Sequence, residues 1–275
     1  MGGRPRRSGP MFPLLPFPAS SEVIMFALVL SRVAGIFSAL PVFGGRRLPI
    51  RIKAVTVLMI TLVCFPLLAI TPPRQMPTDT FSLALLALSE VMVGLTLAFV
   101  TQIIFAAVEF SGQILGMQIG FTISSVIDPM FGNQAQIMAV MQTLLATLLF
   151  LALNIHHVFI GTIIDSFSVI PIGGWHLNSE IISFLIRRTS DVFIIGIRLA
   201  APVMVALLLA SVALGVMARA FPQMNVFMVS MPLNIGLGLI ILGTTLSIFF
   251  HVLEVSFGQL KGQVDTLLRL MVKGG

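Results

Sequence analysis

Apolar runs of roughly bilayer-spanning length follow one another through almost the whole of this 275-residue chain. A helix needs about 20 mostly apolar residues to cross the hydrocarbon core, and only helices or closed barrels satisfy the backbone there. Only 9% of the residues are charged, against about 25% in a soluble domain. The expected fold is therefore an all-α membrane protein with about six long apolar, partly broken helical segments. The runs lie at 23–40, 54–70, 81–108, 137–160, 191–217 and 235–257. The formal charge of +6 sits in short Lys and Arg groups between the runs. There it would meet lipid headgroups, and it does not suggest nucleic acid. The single cysteine, Cys64, forms no intrachain disulfide. The 22 Phe residues are read mostly as bulk packing and lipid contact.

The least uniform stretch is 109–136, EFSGQILGMQIGFTISSVIDPMFGNQAQ. Gly112, Gly116 and Gly120 recur at every fourth position, a face along which another helix can approach closely. Asp128 and Pro129 then predict a helix break, since proline lacks the N–H and clashes with the preceding turn. Interrupted backbone at membrane depth must be buried in protein or line a watery cavity. A pore or transport path is therefore expected in place of a passive anchor. The methionines Met117, Met130, Met138 and Met141 surround the same stretch, as core filler or as a soft seal.

A second break is expected over 218–234, where Pro222, Gln223, Asn225 and Pro232 interrupt the sequence. Pro66 should kink the end of the second run, and 161–179 reads as a turn with amphipathic pieces. Residues 1–20 read as a flexible basic tail, 21–260 as one membrane domain and 261–275 as a short amphipathic tail.

The ionisable residues within or beside apolar runs are Arg32, Glu90, Glu109, Arg198 and Glu254. Each is a functional candidate, set against pairing between helices or subunits. The basic loop at 41–53 asks for the cytoplasm by the positive-inside rule. Six spans would then place the basic N-terminus outside, which Arg4, Arg6 and Arg7 resist. The preferred resolution is that some apolar segments never cross lipid.

No enzyme constellation is present. His156 and His157 are adjacent, expected to point about 100° apart on a helix, and lack the Asp, Glu or Cys partners of a zinc site. Ser124 and Ser125 have no nucleophile-elbow context. No phosphate-binding or dinucleotide glycine loop occurs. No catalytic residue, cofactor or metal is expected, and energy for transport must come from the membrane potential or from other subunits.

The blocks GQILGMQIGFTISSVIDP, QTLLATLLFLALNIHHVFI, SFSVIPIG and ARAFPQMNVFMVSMPLNIGLGL resemble, in order, the FliR family of flagellar export-gate proteins. The resemblance spans roughly residues 23–260. One departure is Asn154–Ile155–His156, where the family commonly has Asn-Gly-His. The resemblance implies a FliP-like part at about 21–185 followed by a FliQ-like helical hairpin at about 186–260. It implies a gate built with FliP-like and FliQ-like subunits, beside FlhB-like and FlhA-like export proteins. Unfolded flagellar subunits would pass through it across the bacterial inner membrane, at the flagellar basal body.

By the same resemblance, Glu109 to Phe121 would plug the pore. Within it Ile114, Leu115, Met117 and Ile119 would exclude water, between Gly112, Gly116 and Gly120. Two alternatives remain, an injectisome export-gate subunit and a small-solute secondary transporter, the latter requiring broken helices in two matching halves.

Overall fold

The computed structural model describes residues 20–40, 49–68, 79–121, 136–175, 177–221, 223 and 225–272. Among them are nine α-helices, one short 3-10 turn and no strand. The helices are α1 (Ser20–Ala39), α2 (Ile50–Cys64), α3 (Thr80–Ile119), α4 (Gln136–Ala152) and α5 (Ile155–Val169). They continue as α6 (Ser179–Ala220), α7 (Val226–Thr244), α8 (Leu246–Gly258) and α9 (Leu260–Val272). Among the described residues, α1, α3 and α6 are each long and apolar enough to cross a membrane.

The central element is α3, which packs along α1, α4 and α6. It starts where the Asp79 carboxylate accepts the Ser82 N–H at 3.2 Å, an N-cap that satisfies an otherwise orphaned donor. It ends at Gly120, whose φ of 99° places it in the left-handed region. There the Phe121 N–H bonds the Gly116 carbonyl at 3.0 Å and the Gly120 N–H bonds that of Met117 at 3.2 Å. This paired closure is the Schellman geometry that glycine permits without a Cβ clash.

Several sequence expectations are corrected. The run at 81–108 does not end before the glycine-rich stretch. One helix of 40 residues carries both; it runs through Gly94, Gly112 and Gly116, and only Gly120 adopts the terminal left-handed turn. The second run begins earlier than expected, so Arg51 and Lys53 lie in the first turn of α2 and outside a loop. Its α-helix ends at Cys64, short of the expected residue 70, with Pro66 in the 3-10 turn Phe65–Leu67 where a kink is expected.

The run at 137–160 is not one helix. It bends by 65° between α4 and α5, at Asn154, whose φ of 55° is the only positive value for a non-glycine among the described residues. Asparagine tolerates that conformation better than most residues. The expected turn at 161–179 is therefore mostly helix, with α5 running to Val169.

The fifth run is longer than expected. Asn178 caps α6 by accepting the Ile181 N–H at 2.8 Å, so Arg187 and Arg188 fall inside a helix of 42 residues that passes through Pro202. The break at 218–234 is also shorter, since α7 begins at Val226 and contains Pro232. The Asn225 side chain accepts the Met228 N–H at 3.3 Å and so starts a helix. The last run breaks at Thr245, and α7 meets the α8–α9 arm at 54°. Finally, the C-terminal segment is not a tail. The amphipathic α9 buries Leu260, Val264, Leu267, Leu268 and Met271 in the same core as α1, α3 and α5.

At about 1.5 Å per residue, α3 and α6 are each about 60 Å long. That is twice the hydrocarbon thickness of about 30 Å. Fitting either inside lipid would require a tilt of about 60°, beyond the range of up to about 40° found for membrane helices. Part of each must lie outside the bilayer or be sheltered by other protein.

Candidate functional site

Two polar features are built into this apolar frame. The first is a buried ion pair. Arg32 on α1 and Glu90 on α3 are both inaccessible to solvent, and Arg32 Nε donates to Glu90 Oε2 at 2.6 Å. Arg32 Nη1 donates to the carbonyls of Ser166 at 2.9 Å and Ile170 at 3.1 Å. The Gly173 N–H donates to Glu90 Oε1 at 3.0 Å. The guanidinium also lies 4.0 Å over the Phe167 ring, a further favourable contact. One pair thus ties α1, α3, the end of α5 and the following loop together. Isolated buried charges of this kind are costly, and their mutual hydrogen bonds offset the desolvation.

Glycines make this approach possible. A Cβ at Gly35 would stand 2.6 Å from the Val91 carbonyl oxygen, and one at Gly94 would meet the Arg32 carbonyl and stand 2.8 Å from the Ile36 nitrogen. Sequence reasoning did not single out these two glycines. The available signal was each standing alone inside an otherwise unbroken helical run.

The second feature is the last part of α3. Ser111, Gly112, Leu115, Gly116 and Ile119 are buried. Leu115 and Ile119 form a second apolar cluster with Met138, Ala200, Val203, Leu207 and Leu242, with Ile114, Phe121 and Met141 packed against it. A Cβ at Gly112 would strike Ala139, whose nitrogen would stand at 2.7 Å. The expected small-residue face is therefore real at Gly112, where α4 crosses. Gly120 is not part of it and serves as the helix terminator.

Replacing Gly112 with Leu should separate α3 from α4. Overpacking of this kind costs about 1–3 kcal/mol. Thermal unfolding in detergent should show the loss, while an unchanged midpoint would mean that the contact is dispensable.

The opposite face of α3 is exposed. Gln102, Ala106, Glu109, Gln113 and Met117 are exposed at helical spacing. Gln113 Nε2 donates to Glu109 Oε1 at 3.5 Å. Met117 is 58% exposed. Three of these five side chains are amides or a carboxylate, in a helix otherwise made largely of apolar residues. The sealing side chains grouped in the sequence therefore separate: Leu115 and Ile119 face the chain's own core and Met117 faces outward. Met138 and Met141 are internal packing.

Arg198 and Glu254 are exposed and form no ion pair among the described residues. His156 and His157 do not splay far apart, since their ring centroids are 4.3 Å from each other. Asp128, Pro129 and Pro222, together with Ser124, Ser125 and Met130, lie outside the described residues. Gln223 lies in the short connection between α6 and α7.

Comparison with known proteins joins these observations to a family. The model of "Bacterial export proteins, family 1" matches residues 23–260. The flagellar biosynthetic protein FliR of Escherichia coli is 32% identical over 84% of this chain and 87% of its own length. FliR of Bacillus subtilis is 32% identical over 90% of this chain and 95% of its own. FliR of Aquifex aeolicus is 28% identical over 81% and 86%, respectively. Since the matched region holds α2 to α8 whole and all but the first three residues of α1, and stops at the start of α9, this chain belongs to the bacterial export protein family that includes FliR.

Proposed function

We propose that this chain is a structural and gating subunit of the flagellar type III protein-export channel, passing unfolded flagellar subunits across the bacterial inner membrane. The observation that carries the reading is the exposed Gln102–Glu109–Gln113 stripe on α3, within a chain of this family. Lipid is a poor solvent for such a stripe, so it lines water or another subunit. The 40-residue length of α3 supports the same reading, because part of it lies beyond the hydrocarbon layer or among partners.

The partners are FliP-like and FliQ-like subunits, with FlhB-like and FlhA-like proteins beside the gate. The FliP-like part covers about 21–185 and the FliQ-like part about 186–260, a division that falls inside α6. The last part of α3, from Glu109 to Phe121, plugs the resting path, with Met117 at the seal. The chain acts as conduit and not as catalyst.

Deleting the chain from a flagellated cell should abolish export of flagellar subunits, and restoring it should recover export together with a complex containing the FliP-like and FliQ-like proteins. A chain that purifies as a stable monomer and moves a small solute by itself would contradict the proposal and favour a transporter.

A further inference from the structure

A groove of about 480 Å³ opens between α3, α6, α8 and the start of α9. Its volume falls within the range of about 300–1,000 Å³ typical of small-molecule sites. One wall is apolar, formed by Val100, Ile103 and Ile104 of α3. The facing side carries Arg188, Asp191 and Arg198 along about three turns of α6, with His251, Gln259 and Gln263 opposite.

The charges do not balance. Asp191 is the only carboxylate among the described residues lining the groove, and its Oδ2 accepts from Arg188 Nη1 at 3.0 Å. Arg198 is left without an ion pair among the described residues, in the apolar part of α6. A cation set in an apolar helical run calls for an anion or a route to water. Arg188 and Arg198 lie about 15 Å apart along the helix, so the groove runs from the basic end of α6 into its apolar body.

We propose that this groove binds the phosphodiester headgroup of an anionic phospholipid. The Arg198 guanidinium holds the phosphate, and the Gln259 and Gln263 amides donate to the glycerol and ester oxygens. The α3 wall receives the upper part of an acyl chain. Basic pockets between membrane helices bind acidic headgroups in this manner. A carboxylate from a neighbouring helix would satisfy the charge but leave most of the volume unfilled. The proposal stands apart from the export reading, since it requires only that the chain be embedded in lipid.

Native mass spectrometry of the full chain, purified with whatever subunits accompany it and stripped of lipid, tests this. Phosphatidylglycerol, phosphatidylcholine and inorganic phosphate are added separately. One phosphatidylglycerol per chain should be retained, in preference to the other two. Arg198→Gln should lower its retention at least about tenfold, the scale of a lost charge-assisted contact. Val255→Trp, at an exposed wall position, should do the same with every charge intact. Arg269→Gln, outside the groove, should change nothing.

Equal retention in Arg198→Gln and the parent overturns the proposal. So does equal retention of phosphatidylcholine, or of inorganic phosphate alone. Loss of a protein subunit from Arg198→Gln with the lipid count unchanged would assign the groove to a partner's carboxylate instead.

Discussion

Arg32→Ala should destabilise the chain by about 3–5 kcal/mol, the cost of leaving one member of a buried pair without the other. Glu90 would remain at the centre of α3 with no solvent access and only the Gly173 N–H to bond. Glu90→Ala should cost a similar amount, since Arg32 would lose its carboxylate and keep only neutral partners, the Ser166 and Ile170 carbonyls and the Ser166 hydroxyl. Arg32→Met combined with Glu90→Leu should recover much of the loss, because well-packed apolar replacements for buried pairs are often neutral or better. Thermal unfolding in detergent, read with the yield of monodisperse protein, separates these cases. A single variant as stable as the parent would show that the pair does not hold α1, α3 and the α5 loop together.

Phe150→Ala should be nearly as damaging. Phe150 of α4 is fully buried, with ring centroids 5.9 Å from Phe105, 6.4 Å from Phe159 and 5.7 Å from Phe257. These rings join α3, α4, α5 and α8. Truncating a buried Phe costs about 3–5 kcal/mol in soluble cores. The lower end is expected here, because helices in lipid associate through packing more than through transfer from water. Proteolysis of the purified protein should show the effect as earlier cleavage near α8 and α9, which rest on this cluster. Identical digestion of the variant and its parent would mean that the two ends of the chain are held together elsewhere.

The fold class was legible because apolar length and low charge density leave few choices. Arg32 and Glu90 were legible as residues requiring an account, but not as each other's partner. They stand 58 positions apart, and no periodicity links them.

The helix boundaries were read less well, for two physical reasons. Pro232 reads as part of a break in the sequence, yet α7 passes through it, as α6 passes through Pro202. Membrane helices tolerate them because neighbouring groups satisfy the freed carbonyls. The actual bends fall at Asn154 and Thr245, residues with no strong breaking signal. The groove at Arg198 was missed in outline because its walls come from four helices and exist only once α9 folds back.

The glycine-rich stretch was singled out from its composition, and the structure divides it by face. Buried Leu115 and Ile119 hold the end of α3 in the core, while exposed Met117, the side chain proposed to seal, can be changed without unfolding its surroundings. That separation makes the gating claim testable by substitution in place of deletion.

The decisive measurement is the conductance of the purified heteromeric complex in a planar bilayer, parent against Met117→Asp. Hydrophobic constrictions stop ions by excluding water, and a charge at the seal should wet them. The parent should remain closed at rest, and Met117→Asp, assembled in equal yield, should pass steady ionic current. An assembled Met117→Asp complex as tightly closed as the parent would contradict a seal at Met117 and leave the end of α3 with a packing role alone.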